Sequence, residues 1–349
     1  MPERPLAERL GRLIDGNGPI TVAEYMGLAN SHYYATRDPF GAAGDFTTAP
    51  EISQMFGELI GLWLGDLWAR AGGPGGIRYV ELGPGRGTLT ADALRAMRSA
   101  GIEPEAHLVE TRPLLRQAQK AKVPKAVWHD TIGSLPEGAP LVAVANEFFD
   151  ALPTRQLVAT ASGWRERLVV HQDGRFAPVP GPPVGGAAIA EHIRHAPPET
   201  ILETSPAAVA AVRQLSHLLA SCGGAALIID YGHGRTSAGE TLQAVAKHGF
   251  ADPWTEPGER DLTVHVDFEA LGAAAREMGV RVLGPRGQGE WLEAMGIGLR
   301  AESLAKAAPD RREEIEQARH RLTSPDQMGS LFKVMALVAE GWPEPAGFE

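Results

Sequence analysis

The sequence predicts a doubly wound α/β domain with an N-terminal helical extension and an inserted β-hairpin region, and three observations carry this reading. Short apolar runs alternate with helical patterns from Gly76 to about Leu152, as they do where a parallel sheet is covered by helices. One of those runs, Tyr79-Val80-Glu81-Leu82, passes directly into glycines at 83, 85 and 87 before a helical segment begins. Between Arg155 and about Pro183, the stretches LVVHQ and RFAPV flank Asp173-Gly174, a dipeptide suited to a tight hairpin turn. The chain therefore divides into a helical extension over residues 1–75 and an α/β domain over 76–349, with the insertion at about 155–200.

Taken in order, Pro5 to about Gly73 is mainly helical, interrupted from Ser31 to Pro50 by an exposed-looking segment. Thr48-Ala49-Pro50-Glu51 has the form of a capping box, in which a hydroxyl and a carboxylate satisfy free amides at a helix start. Ile52, Met55, Phe56, Leu59, Ile60, Trp63 and Leu67 then recur at helical spacing. Strands are predicted over Ile77–Leu82, Ala106–Glu110, Ala126–His129 and Leu141–Ala145. Gly181–Gly186 reads as loop. Ser205-Pro206 marks the cap and first position of a helix to Ala220, followed by a strand from Ala225 to Asp230. A helix from Asp267 to Met278, a charged helix around Asp310–Leu322 and a strand from Ser330 to Val338 complete the reading.

Composition narrows the function classes. With 33 basic and 43 acidic side chains the net charge is −10, which argues against non-specific nucleic-acid binding. At 44% hydrophobic residues the chain can bury a large core. No apolar run approaches the ~20 residues that span a bilayer, and residues 1–13 lack an apolar signal core, so the expectation is an uncleaved cytoplasmic protein. The single cysteine, Cys222, excludes an internal disulfide and a multi-thiolate metal centre. His192 and His195 share a helical spacing without an acid or thiol to complete a metal site, so no metal is expected.

The strongest chemical signal is the glycine loop. Side-chain-free positions allow a tight turn and close approach of a ligand to the backbone. The dinucleotide fingerprint requires a third glycine where Thr88 stands. A glutamate, Glu81, two residues before Gly83, Gly85 and Gly87 instead matches the class I methyltransferase pattern, whose ligand is S-adenosylmethionine (SAM). The next strand ends in Glu110, a carboxylate able to accept two ribose hydroxyl hydrogens. Asp130, at the end of the third strand, is placed to meet the adenine amino group or else to end a turn.

After the fourth strand comes Asn146-Glu147-Phe148-Phe149-Asp150. Acids at that edge suit a cationic acceptor, because a guanidinium needs carboxylates to orient it and to take up the proton lost on methylation. Glu147 is the leading acceptor-orienting acid, with Asp150, Asp45 and Asp230 as further candidates. Each has a structural alternative as a cap or strand end. Tyr33 and Tyr34 are open to ligand stacking or to ordinary packing.

The segments at Asp38–Gly61, Glu81–Leu89, Asn146–Pro153, Ile228–His233 and Val266–Phe268 occur in the same order in the MidA-like family of SAM-dependent methyltransferases, which the chain resembles over nearly its whole length. The resemblance implies a class I methyltransferase fold and SAM binding by Glu81, Gly83, Gly85, Gly87 and Glu110. On that basis Gln54 is a weaker cofactor candidate, and Asn146 is a further cofactor-binding candidate. Mitochondrial members of that family assist respiratory complex I assembly and symmetrically dimethylate an arginine of a core subunit. A protein substrate, with a complex I core subunit as the leading instance, is implied here. The alternatives left open are transfer to a small molecule or another protein nitrogen, and a SAM-binding assembly chaperone. The sequence says nothing about oligomeric state.

Overall fold

The structure is a computed structural model and describes residues 5–36, 48–186, 189–246 and 249–349. The chain opens with α1 (Leu6–Asn17), β1 (Ile20–Thr21), α2 (Val22–Thr36), α3 (Ala49–Ile52) and α4 (Gln54–Arg70). Then β2 (Arg78–Leu82), α5 (Thr88–Ser99), β3 (Glu105–Val109), α6 (Pro113–Lys122), β4 (Val127–His129) and β5 (Leu141–Asn146) alternate as the sequence predicts. The insertion supplies β6 (Arg155–Thr160), β7 (Gly163–Gln172), β8 (Arg175–Pro183) and β9 (Ile201–Thr204), and α7 (Pro206–Cys222) and β10 (Gly224–His233) return to the main sheet. After β11 (Gln243–Ala246), β12 (Gly249–Ala251), β13 (Asp261–Thr263) and β14 (Val266–Asp267), the chain ends with α8 (Phe268–Glu277), β15 (Arg281–Gly287), α9 (Gln288–Ala294), α10 (Ile297–Ala307), α11 (Arg312–Thr323), α12 (Met328–Leu331) and β16 (Phe332–Val338).

Eight strands form the central sheet, seven in the order β15-β16-β10-β5-β2-β3-β4, with β14 paired to the end of β10. Strands β10, β5, β2, β3 and β4 pair in parallel, whereas β16 is antiparallel to both of its neighbours. Helices cover both faces, so the middle strands read as unbroken apolar runs, and every residue of β5 is buried. One face packs under α4, α5, α9, α10 and α11, with Phe56, Ile60, Trp63 and Trp291 in its core. The other packs under α7 and α8 through Val212, Leu215, Leu219, Phe268 and Leu271. Burying each such side chain contributes about 1.5–3 kcal/mol.

The insertion forms an antiparallel sheet, β1-β7-β6-β9, with β8 added on β7. Its hairpin turns at Asp173 and Gly174, both at positive φ (50° and 74°), as a two-residue turn matching strand twist requires. The extension is split between two cores. Helices α1 and α2 pack on β7, β8, β11 and β13 through Leu10, Tyr25, Met26, Val169 and Leu262, whereas α4 belongs to the central-sheet core.

Ser205 Oγ accepts the Ala208 amide, capping α7 as predicted. The capping box at Thr48 is not formed. Thr48 makes no side-chain cap bond, and Glu51 Oε1 instead accepts the Thr88 hydroxyl at 2.5 Å. The chain extends at Ser53 (φ −160°), whose Oγ accepts the Met55 amide and starts α4 afresh. The predicted loop at Gly181–Gly186 is partly strand, since β8 continues to Pro183. The reading also omits β15, whose run is interrupted by Gly284-Pro285 and which pairs with β16 across a register shift.

Candidate functional site

The candidate site lies at the carboxyl ends of β2, β3, β4 and β5, where strand order reverses and open α/β sheets bind ligands. Two recesses meet there. The larger, about 430 Å³, is lined by Gly83, Gly85, Glu110, Asp130, Glu147 and Phe148 among others. The smaller, about 40 Å³, is lined by Glu51, Glu81, Gly85, Arg86, Asn146 and Glu147 among others. Gly83, Gly85 and Glu147 border both.

The glycine loop has the backbone that its composition predicts. Gly83, Gly85 and Gly87 take φ values of 63°, 52° and 76°, in the left-handed region where a side chain is strained. A Cβ on Gly83 would also lie 2.9 Å from the Phe148 ring. Gly87 sits at the start of α5, whose first amides point towards the recess end of the helix. Behind the loop, Glu81 is buried and its Oε2 accepts hydrogen bonds from the Tyr79 hydroxyl (2.6 Å) and the Thr90 hydroxyl (2.5 Å). Burial nevertheless pushes this carboxyl up to about 7.

Glu110 is buried at the end of β3 and faces the larger recess. Its Oε1 accepts the Arg112 amide at 3.0 Å, and its Oε2 is 3.4 Å from the Gln119 amide nitrogen. A carboxylate offers about four lone-pair sites, so capacity remains for a diol. Asp130 lies on the same wall with its side chain 78% exposed, ion-paired with Arg116 at 2.6 Å. Asn146 is buried against the smaller recess. Its Nδ2 donates to Glu147 Oε1, and its Oδ1 has no hydrogen-bond partner among the described residues.

The acids after β5 differ from one another. Glu147 is held at φ 50°, a left-handed conformation unusual for a residue with a side chain. Its Oε1 accepts the Ala49 amide (3.3 Å) and the Asn146 amide (3.1 Å). Burial, reinforced by the nearby Asp150 carboxylate, pushes it up to about 7. Asp150 lies behind it, buried, with Oδ2 accepting the Tyr231 hydroxyl at 2.7 Å, and burial raises it to about 6. Asp230 is fully buried. Its oxygens accept the backbone amides of Phe149 (3.0 Å), Asp150 (3.2 Å) and Tyr231 (3.0 Å).

Four of the predicted residues, Asp230, Asp150, Gln54 and Gly87, border neither recess. Asp230 borders neither recess, because those three amides hold it inside the end of the sheet, where it shapes the turn that presents Glu147. Gln54 faces away on α4 and donates to Glu58. Asp150 supports the site from behind the recess wall. Asp45 lies outside the described residues.

Sequence reasoning missed Gln119. It is fully buried and donates to the Gly85 carbonyl at 2.7 Å, while its Oε1 accepts the Trp128 indole N–H at 2.7 Å. The Trp128 bond fixes which end of the amide faces the glycine loop. The available signal was a glutamine one turn after Leu115, on the apolar stripe of α6. Tyr34, left open between ligand stacking and packing, lines the larger recess, as does Arg112, which was not distinguishable from a surface residue by pattern.

Comparison with known proteins agrees with this geometry. Residues 59–286 match the family described as "Putative S-adenosyl-L-methionine-dependent methyltransferase". The chain is 38% identical to the protein arginine methyltransferase NDUFAF7 homolog, mitochondrial, of Drosophila melanogaster, with 95% of this chain and 84% of that protein aligned. It is 36% identical to the Homo sapiens protein arginine methyltransferase NDUFAF7, mitochondrial, over 97% of this chain and 84% of that protein. A Burkholderia thailandensis crystal structure bound to S-adenosyl-homocysteine superposes with a TM-score of 0.86 at 30% identity, covering 98% of this chain and 93% of that one. The residues present fit such a ligand: left-handed glycines that admit close backbone approach, a buried carboxylate with spare acceptor capacity and an unpartnered amide oxygen. The chain is a class I α/β protein and belongs to this family of SAM-dependent methyltransferases.

Proposed function

We propose that the enzyme methylates an arginine nitrogen of a protein substrate, dimethylating it symmetrically, with Glu147 orienting the guanidinium and accepting the proton it loses. In this reading the larger recess takes the adenosine half of SAM, with Glu110 on the ribose and Asp130 towards the adenine amino group. The smaller recess takes the methionine half against the backbone of the glycine loop, Glu81 and Asn146. The cofactor supplies an electrophilic methyl group. The chain's own task is to align a nucleophile, exclude water and manage one proton.

The observation that carries the reading is Glu147. It borders both recesses, so it stands where the two halves of the ligand would join. No cation lies at ion-pair distance from it among the described residues, and its carboxyl sits at about 7, close to the pH at which a base both accepts and releases a proton readily. A guanidinium would bring the missing positive charge. Asp150 behind it keeps the local field negative. The names of the relatives, which specify arginine, support the same acceptor class. We place the enzyme in the cytoplasm, and a complex I core subunit is the leading protein substrate. Among the described residues, no helix is long and apolar enough to cross a membrane.

The test uses purified enzyme, tritiated SAM and extract of the source cells, followed by acid hydrolysis of the protein fraction. Label in symmetric dimethylarginine is the expected result. Label in small molecules or in another amino acid would assign a different acceptor. Tight S-adenosylhomocysteine binding without label in any fraction would favour an assembly role.

A further inference from the structure

We infer that Tyr34, from the N-terminal helical extension, is a positioning residue for the cofactor site: through Arg112 it fixes the loop that presents Glu110 to the ribose. The inference rests on the reading of Glu110 as the ribose ligand.

Tyr34 is buried near the end of α2 and is one of the residues that line the larger recess. The Arg112 guanidinium carbon lies 3.6 Å from the centroid of that ring, a close cation–π stack. Two residues earlier in the chain, Glu110 Oε1 accepts the backbone amide of the same Arg112. Arg112 precedes Pro113 and caps α6 in an extended conformation (φ −95°, ψ 120°), so little backbone freedom is left between the stack and the carboxylate. Holding the guanidinium flat on a fixed ring thus sets the orientation of the Arg112 amide and, with it, of Glu110.

The platform is itself anchored. The Tyr34 hydroxyl donates to Asp261 Oδ2 at 2.6 Å in the interior. One turn earlier on α2, Asn30 donates to the carbonyls of Leu262 (2.7 Å) and Ala151 (3.1 Å) and accepts the Leu262 amide (2.9 Å). Ala151 is another lining residue of the recess. Helix α2 is therefore fastened to β13 and to the segment after β5, and it reaches the ribose carboxylate from outside the central sheet. A planar guanidinium stacks on a ring where an ammonium does not, which explains arginine at 112.

Calorimetric titration with S-adenosylhomocysteine tests this on the full chain, in wild-type and Glu110→Gln backgrounds, with unliganded melting recorded for each variant. Tyr34→Leu and Arg112→Ala should each weaken binding about tenfold in the wild-type background. Tyr34→Phe keeps the ring face and should stay within about threefold. In Glu110→Gln, neither Tyr34→Leu nor Arg112→Ala should cause further loss, since nothing remains to position. Unchanged binding in both single variants overturns the inference, and so does a loss of equal size in the Glu110→Gln background, which would mark direct contact or general structure. Should Tyr34→Leu fail to fold, the partly exposed Arg112 supports the same cycle alone. If Glu110→Gln itself binds like wild type, the ribose reading fails and the positioning role falls with it.

Discussion

Glu58 and Glu147 show how one kind of side chain is put to two uses. Glu58, on α4, is buried, and burial alone would raise its carboxyl. Arg300 and Arg95 outweigh that effect with hydrogen bonds of 2.8–3.1 Å, with Gln54 adding a third donor, and the carboxyl is held below its ordinary value. Among the described residues Glu147 accepts two neutral amide donors beside a neighbouring carboxylate, and Arg321 acts on it without an ion pair, so burial wins and it rises to about 7. A satisfied carboxylate ties α4 to α5 and α10. A carboxylate without an ion-pair partner among the described residues is suited to a cationic ligand.

The largest effect that would break this comparison is on rate. Glu147→Gln should reduce methyl transfer about 10²–10⁴-fold in a labelled-methyl assay while S-adenosylhomocysteine affinity stays within about threefold. Parallel losses in both would show that Glu147 serves the cofactor and not the acceptor. The comparison sharpens with pH. Transfer should fall about tenfold per unit as pH drops below about 7, because protonated Glu147 cannot accept the guanidinium proton. The residual activity of Glu147→Gln should lack that limb.

Stability provides two smaller tests. The folded-state value of Glu147 is raised from the ordinary 4.5 to about 7, so the folded chain binds that proton more tightly than the unfolded chain. Stability therefore falls as pH rises from about 4.5 to 7, and the whole penalty is present above 7. Glu147→Gln should resist urea better than wild type at pH 8 by about 1–3 kcal/mol, with the difference fading towards pH 4. Arg300→Leu should act oppositely, costing about 1–2 kcal/mol in urea titration by leaving Glu58 with one guanidinium, without changing the pH profile of transfer. A shifted profile would mean that the two acids communicate.

Legibility follows range. The four strands from β2 to β5, the glycine turn and the placement of Glu110 were readable because each depends on neighbours in the chain. Thr48-Glu51 misled because Thr88, distant in sequence, captures the glutamate that a local rule assigns to the helix start. β15 escaped because Gly284-Pro285 splits its pattern, and only pairing with β16 makes it a strand. Asp230 and Glu147 look alike as acids after buried strands. Which one faces a recess is settled by the three amides that surround Asp230.

The sequence by itself determined the alternation that builds a parallel sheet, the backbone conformations that only glycine adopts freely, and a carboxylate at the end of β3, since all three are local consequences of side-chain shape and spacing. Tertiary structure decided which carboxylates are satisfied. It paired Glu58 with cations from α5 and α10, shielded Asp230 with backbone, left Glu147 between two recesses, and brought Tyr34 against Arg112. Desolvation and charge pairing depend on what surrounds a group in three dimensions, and that information is spread over the whole chain.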